Sequence, residues 1–371
     1  MNNPFGALTG EERAIFTLRS LYARYGYQPY RMSKFEEYDL YVRNKDFLVS
    51  DSVITFNDTS GRLMALKPDV TLSIIKNTKD GDGTLSKLYY DENVYRVSKN
   101  SGSFRELRQV GLECVGDTGM QEVGESLWLA ASSLSALGGD FVLDVFHLGL
   151  TEAALSLFPE EARPAALNCF FEKNAHELAA LSADCGLSDE NAEALRSLVS
   201  LSGPVKDVMP ELDEIALRLG AGDSAKELAG VLTVFEGSEL GERVHIDASV
   251  LGNMKYYNGV VFKGFLRGVP ASVLSGGQYD RLMTRMRRTS RAVGFAVYLD
   301  ELEGLTGERS PYDADVLLLC PPSAKPAIVR AAEEKLIGEG YSVFAAKKPD
   351  PDLRARRVAE LSESGEVIFR G

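Results

Sequence analysis

The stretch "FRELRQVGLECVG", residues 104–116, carries polar groups where an extended chain would line them up. Side chains alternate between the two faces of a strand, so Leu107, Gln109, Gly111 and Glu113 share one face. That face offers an amide, bare backbone and a carboxylate. A carboxylate and an amide suit an α-ammonium or an imidazole, and Gly111 leaves room for a small amino-bearing ligand. The same set also suits a solvated sheet face. "LKPDVTLSI" places Asp69 and Thr71 close together before a helical run, where both could act as caps. "SGGQYDRL" brings Tyr279 and Asp280 after two glycines and reads alone as a turn entering a helix. "KYYNGVVF" carries Tyr256 and Tyr257, most simply as strand residues.

Several elements must position these groups. "LTGEERAIFTLRSLYARYGY" reads as a helix with a capping-box pattern at Thr9 and Glu12. Ile15, Leu18, Tyr22 and Tyr25 follow at helical spacing, and Gly26 suits the stop. Residues 35–150 read mostly as strands separated by short turns, which favour an antiparallel sheet. Residues 151–240 change to an all-helical block. In "PELDEIALRLG", Leu212, Ile215, Ala216 and Leu219 share one helical face, with Pro210 before the helix and Gly220 after it. The block looks like an insertion, about 155–240, between two halves of one sheet. Strands resume through "AVGFAVYL", and residues 311–371 read as a small β-α-β-α-β domain. The expected class is α+β: an antiparallel sheet flanked by helices over residues 1–310, a helical insertion, and a small C-terminal α/β domain.

Composition narrows the function. The chain has 371 residues and 44% apolar content, with no run of 18 apolar residues to span a membrane. Its first residues lack the basic and apolar regions of a secretory signal. Cys114, Cys169, Cys185 and Cys320 are scattered, as in a chain with reduced cytoplasmic thiols. Three histidines are too few and too dispersed for a metal centre, and no cofactor motif is present. The net charge is −13; residues 151–240 hold 17 acids and 6 bases, a net of −11, which leaves −2 for the rest. Such a module opposes nucleic-acid binding, which needs Lys and Arg against phosphate. A cytoplasmic protein without membrane or nucleic-acid partners is expected.

Taken in order, "ALKPDVT", "YR…FRELRQVGLE", "YYNGVVF", "SGGQYD" and "AVGFAVYLDEL" resemble histidyl-tRNA synthetase and its relatives, over about residues 10–305. The resemblance implies the class II aminoacyl-tRNA synthetase catalytic fold. It also implies a histidine-like pocket formed by Asp69, Thr71, Arg96, Gln109, Glu113, Tyr257 and Tyr279. The positions expected to serve ATP depart from the family. Ser98 replaces a glutamate, Ser103 an arginine, Leu107 a phenylalanine, Gly252 an arginine and Lys255 an aspartate. Tyr298 replaces a glycine and Glu301 the arginine that grips phosphate. Adenylate formation needs cations aimed at phosphate charge. Tyr298 would fill space left open for the nucleotide, and a buried like charge at Glu301 would cost roughly several kcal/mol.

A synthetase-like chain without synthetase chemistry is similar to the regulatory subunits of the short-form ATP phosphoribosyltransferase. In that family the subunit is not an enzyme by itself. It assembles with a catalytic subunit as a hetero-octamer, is required for activity, and contributes to feedback inhibition by histidine in the first step of histidine synthesis. The resemblance implies a dimer of this chain, a catalytic-subunit partner, and histidine as a possible effector. The tail then corresponds to a truncated anticodon-binding domain. The alternatives are an active histidyl-tRNA synthetase and a free-standing amino-acid sensor.

Overall fold

The computed structural model describes residues 8–44, 53–81, 83–97, 102–252, 254–302 and 311–370. The chain divides into two units, Glu11–Leu305 and one built on Thr306–Gly371.

The larger unit opens with α1 (Gly10–Arg24), which buries Ile15, Leu18 and Tyr22. Tyr25, expected on the same face, is exposed, and its hydroxyl accepts from Trp128 Nε1 at 2.8 Å. The chain then forms β1 (Gln28–Pro29), β2 (Phe35–Glu37), α2 (Tyr38–Val42), β3 (Thr55–Asn57) and β4 (Leu63–Leu66). Strands β2, β4 and β3 make a small antiparallel sheet. After α3 (Thr71–Asn77), β5 (Leu85–Val97) and β6 (Phe104–Gly116) form a long hairpin, paired from Leu85↔Gly116 to Val97↔Phe104. Next come α4 (Met120–Ala136) and β7 (Phe141–His147).

The helical block follows as α5 (Leu148–Ser156), α6 (Arg163–Glu172), α7 (Ala175–Asp184), α8 (Asp189–Ser200), β8 (Ser202–Pro204), α9 (Val205–Arg218) and α10 (Gly222–Leu232). Two expectations are corrected here. The block is not wholly helical, because β8 pairs antiparallel with β9 (Val244–Asp247). Pro210 lies inside α9, which starts five residues before it. Leu212, Ile215 and Ala216 are buried on α9 as expected. The block has no core of its own: Leu195, Leu198, Leu212 and Leu228 belong to the same buried cluster as Val145 and Ile246 of the sheet.

The unit closes with β10 (Asn258–Leu266), β11 (Leu274–Gln278), α11 (Asp280–Arg285) and β12 (Arg291–Tyr298). Gly276 and Gly277 lie within β11 and not in a turn; a Cβ at Gly276 would come 2.4 Å from the Gly294 carbonyl, so close backbone approach selects glycine. The large sheet runs β1-β5-β6-β12-β11-β10-β7-β9-β8. It is antiparallel except for the pairs β1/β5 and β7/β9. Cross-strand partners share a face, and one row runs Tyr90, Gly111, Ala296, Ser275, Lys263, Asp144.

The second unit holds β13 (Ala314–Leu319), α12 (Pro326–Gly338), β14 (Val343–Ala346), β15 (Ala355–Leu361) and β16 (Val367–Phe369), with sheet order β14-β13-β15-β16. The expected second helix is absent among the described residues, and the order is β-α-β-β-β. Ala359 and Leu361, two residues apart, are the positions that reach the core of Val316, Leu318 and Leu336, so burial follows the strand period. Among the described residues no helix is long and apolar enough to cross a membrane.

Candidate functional site

The site forms where α3 and α11 meet the β6 and β12 strands. Asp69 performs the capping task, its Oδ1 accepting from the Leu72 backbone N–H at 2.9 Å at the start of α3. Thr71 is thereby left to face the sheet, and its Oγ1 donates to Glu113 Oε1 at 2.7 Å. Tyr279, the residue before α11, donates its hydroxyl to Glu113 Oε2 at 2.6 Å. Glu113 is only 3% exposed. Burial pushes its carboxyl up to about 8; the two hydroxyl donors oppose that shift, and the nearby Asp69 charge adds to it. Burial also raises Asp69, against the Leu72 N–H and the Arg96 guanidinium. The space for the Glu113 carboxylate comes from across the strand pair: a Cβ on Gly294 would lie 1.9 Å from Glu113 Oε2.

The sequence reading of Gly111 needs correction. A Cβ there would meet the Tyr90 hydroxyl at 2.5 Å, so the space over Gly111 is occupied by Tyr90 and is not left for a ligand. Tyr90 is buried, and the signal that could have found it is its register directly opposite Gly111. Tyr256, read as an ordinary strand residue, is also part of the cluster. Its ring lies 5.6 Å from that of Tyr279 and 4.5 Å from that of Tyr257. Gln109 is buried on β6, paired with Glu92 on one side and Tyr298 on the other. Arg96 is fixed by donation from Nε to the Pro68 carbonyl at 3.2 Å. A further pair was missed: Lys67, fully buried, meets Glu92 at 2.5 Å on the same sheet face.

The positions expected to have lost ATP chemistry fall as follows. The Tyr298 hydroxyl is 2.5 Å from Ser275 Oγ, which ties its ring to the neighbouring strand. Glu301 is exposed in the turn Leu299–Leu302. Its charge faces solvent, so the buried like-charge penalty expected from the sequence does not arise. The neighbouring Asp300 accepts from the Arg108 backbone N–H at 2.9 Å and fastens that turn to β6. Gly252 is exposed at φ +57°, and a Cβ there would touch the Tyr257 ring at 3.0 Å. Ser103 is exposed, Leu107 packs beside the Tyr90 cluster, Lys255 is exposed, and Ser98 lies outside the described residues. Ser103, Gly252, Tyr298 and Glu301 thus supply no cation for a phosphate. Among the described residues no group of acids, histidines and cysteines is placed to hold a metal ion.

A family model described as histidyl-tRNA synthetase matches residues 8–302. An ATP phosphoribosyltransferase regulatory subunit from Symbiobacterium thermophilum is 31% identical over 333 residues, covering 85% of this chain and 82% of that protein. The chain belongs to the ATP phosphoribosyltransferase regulatory subunit family. Solved structures carry the same fold. An ATP phosphoribosyltransferase regulatory subunit/histidyl-tRNA synthetase from Bacillus halodurans superposes with a TM-score of 0.77 at 22% identity, over 97% of this chain and 99% of that one. A chain of the ATP phosphoribosyl transferase (HisG:HisZ) complex from Thermotoga maritima gives a TM-score of 0.61 at 20% identity, over 78% of this chain and 97% of that one. In this regulatory subunit family member, the histidyl-tRNA synthetase fold therefore persists with Thr71, Glu113 and Tyr279 joined by hydrogen bonds.

Proposed function

We propose that this chain is the non-catalytic regulatory subunit of an ATP phosphoribosyltransferase. It binds a separate catalytic chain, switches it on, and takes part in histidine feedback on the first step of histidine biosynthesis. The observation that carries this reading is the contrast between two sets of positions. The Thr71–Glu113–Tyr279 cluster is assembled, while the positions expected to grip phosphate hold serine, glycine, tyrosine and an exposed acid. The name of the Symbiobacterium relative and the HisG:HisZ assembly of the Thermotoga structure support the choice of partner.

Histidine is proposed to occupy the chamber bounded by Asp69, Thr71, Arg96, Gln109, Glu113, Tyr257 and Tyr279, with its ammonium or imidazole on Glu113. The chain is proposed to dimerise through its synthetase-like unit. Histidine can inhibit only by as much as it prefers the inactive arrangement of the complex. A coupling of about 1–3 kcal/mol gives roughly 5–150-fold inhibition.

Two experiments test this. The catalytic chain from the same genome, mixed with this protein, should form phosphoribosyl-ATP only in the mixture, and histidine should suppress the rate. Equal activity with and without this chain, together with separate elution on a sizing column, would leave a free-standing sensor as the better account. In the second experiment, histidine-dependent ATP–pyrophosphate exchange should be absent and should stay absent in Glu301→Arg, because Ser103 and Gly252 remain. Exchange at a synthetase-like rate, on the order of 1 per second or faster, would restore the synthetase reading.

A further inference from the structure

We propose that a cavity at the β1 edge of the large sheet binds a phosphate-bearing anion. The cavity has a volume of about 390 Å³, within the usual range for small-ligand sites. Arg19 of α1, Arg31 just beyond β1, and Arg108 of β6 converge on it. It lies at the sheet edge beside the Glu113 cluster: Tyr90 and Glu92, on that cluster's face, line it together with Asp91 and Arg108, which alternate with Tyr90 and Gln109 and so lie on the opposite face.

The charges around the cavity do not balance. Asp91 pairs with Arg108 at 2.5 Å and lies 4.0 Å from Arg19, so one carboxylate serves two guanidinium groups. Glu92, which also lines the cavity, is already matched by the buried Lys67 at 2.5 Å. Arg31 is exposed and makes no ion pair among the described residues. Three cations set against Asp91 leave an excess of two positive charges, in a chain whose net charge is −13.

The size of that excess selects the ligand class. A phosphate monoester carries about −1.5 to −2 at neutral pH and would balance it. A single carboxylate would leave one positive charge unmatched. Arginine is the side chain suited to the task, since its planar fork meets phosphate oxygens in pairs. The wall includes Tyr30, whose hydroxyl is taken up by the Ser73 carbonyl at 3.1 Å. Its ring is then available to a flat or apolar body attached to the phosphate. This site does not depend on the regulatory reading above, and it would stand if that reading failed.

The test is calorimetry on the full chain with inorganic phosphate at 0.15 M salt, with acetate as the control anion. Saturable binding of inorganic phosphate, one per chain, is expected, with acetate unable to displace it. Arg31→Ala and Arg19→Ala should each weaken it about ten-fold, the loss typical of one hydrogen bond to a charged group. Asp91→Asn should tighten it. If Arg19→Ala or Asp91→Asn fails to fold, the exposed Arg31→Ala decides alone. Absence of saturable binding at millimolar inorganic phosphate, equal competition by acetate, or unchanged affinity in a folded Arg31→Ala variant would each overturn the proposal.

Discussion

Glu113 makes pH a probe of the site. Its carboxyl is held at about 8 in the folded chain, against 4.5 for an ordinary glutamate. Between these two values the unfolded chain has lost a proton that the folded chain keeps. Stability attributable to this group is therefore fully present below about 4.5 and is lost as pH rises through about 8. The slope in that window approaches about 1.4 kcal/mol per pH unit. Glu113→Gln removes the titration, so urea midpoints of wild type and variant should diverge with rising pH, the wild type losing ground, and run parallel above pH 8. Parallel midpoints from pH 5 to pH 8 would show that Glu113 is ionised in the native chain. The same group predicts proton release when histidine binds at pH 7, because a cation beside Glu113 draws its carboxyl back toward the usual range. Binding heats in buffers of different ionisation enthalpy should differ for the wild type and coincide for Glu113→Gln.

Elements were legible where one face decided the matter. The alternation of Gln109, Gly111 and Glu113 fixed the strand and its polar face, and Leu212, Ile215 and Ala216 fixed the buried stripe of α9. Tyr90 was not legible, because a tyrosine in a strand reads as ordinary core until its register against Gly111 is known. The tail's second helix failed for a related reason. "RARRVAEL" contains good helix formers, but pairing with both β13 and β16 outweighs local propensity. Pro210 misled in the other direction: proline is a reasonable helix start, yet α9 already runs for five residues before it. A proline inside a helix removes one backbone hydrogen bond and costs about 3 kcal/mol, less roughly 1 kcal/mol recovered from a stiffer unfolded chain. Pro210→Ala should therefore raise stability by about 2 kcal/mol, measured by chemical unfolding. A lower midpoint in the variant would mean that the proline is accommodated without loss.

At the scale of the molecule, the boundaries that matter are those of the cores. The helices of residues 155–240 share one buried cluster with β7 and β9, whereas Val316, Leu318, Leu336 and Leu361 form a separate one. Calorimetry should show the insertion melting together with the large sheet in one transition, and a chain lacking residues 155–240 should not fold. An independent low-temperature transition confined to the insertion would contradict this. The acidic charge of residues 151–240, −11, marks the surface least suited to a polyanion.

That shared core also constrains descent. A module with its own interior can be gained, lost or exchanged between relatives as a cassette, with crossover points in the loops at its edges. Here such an exchange would strand Leu198 and Leu228 against a foreign Val145 and Ile246. Viable recombinants should carry the helices and the strands beneath them from the same parent, so that the insertion is inherited with its sheet.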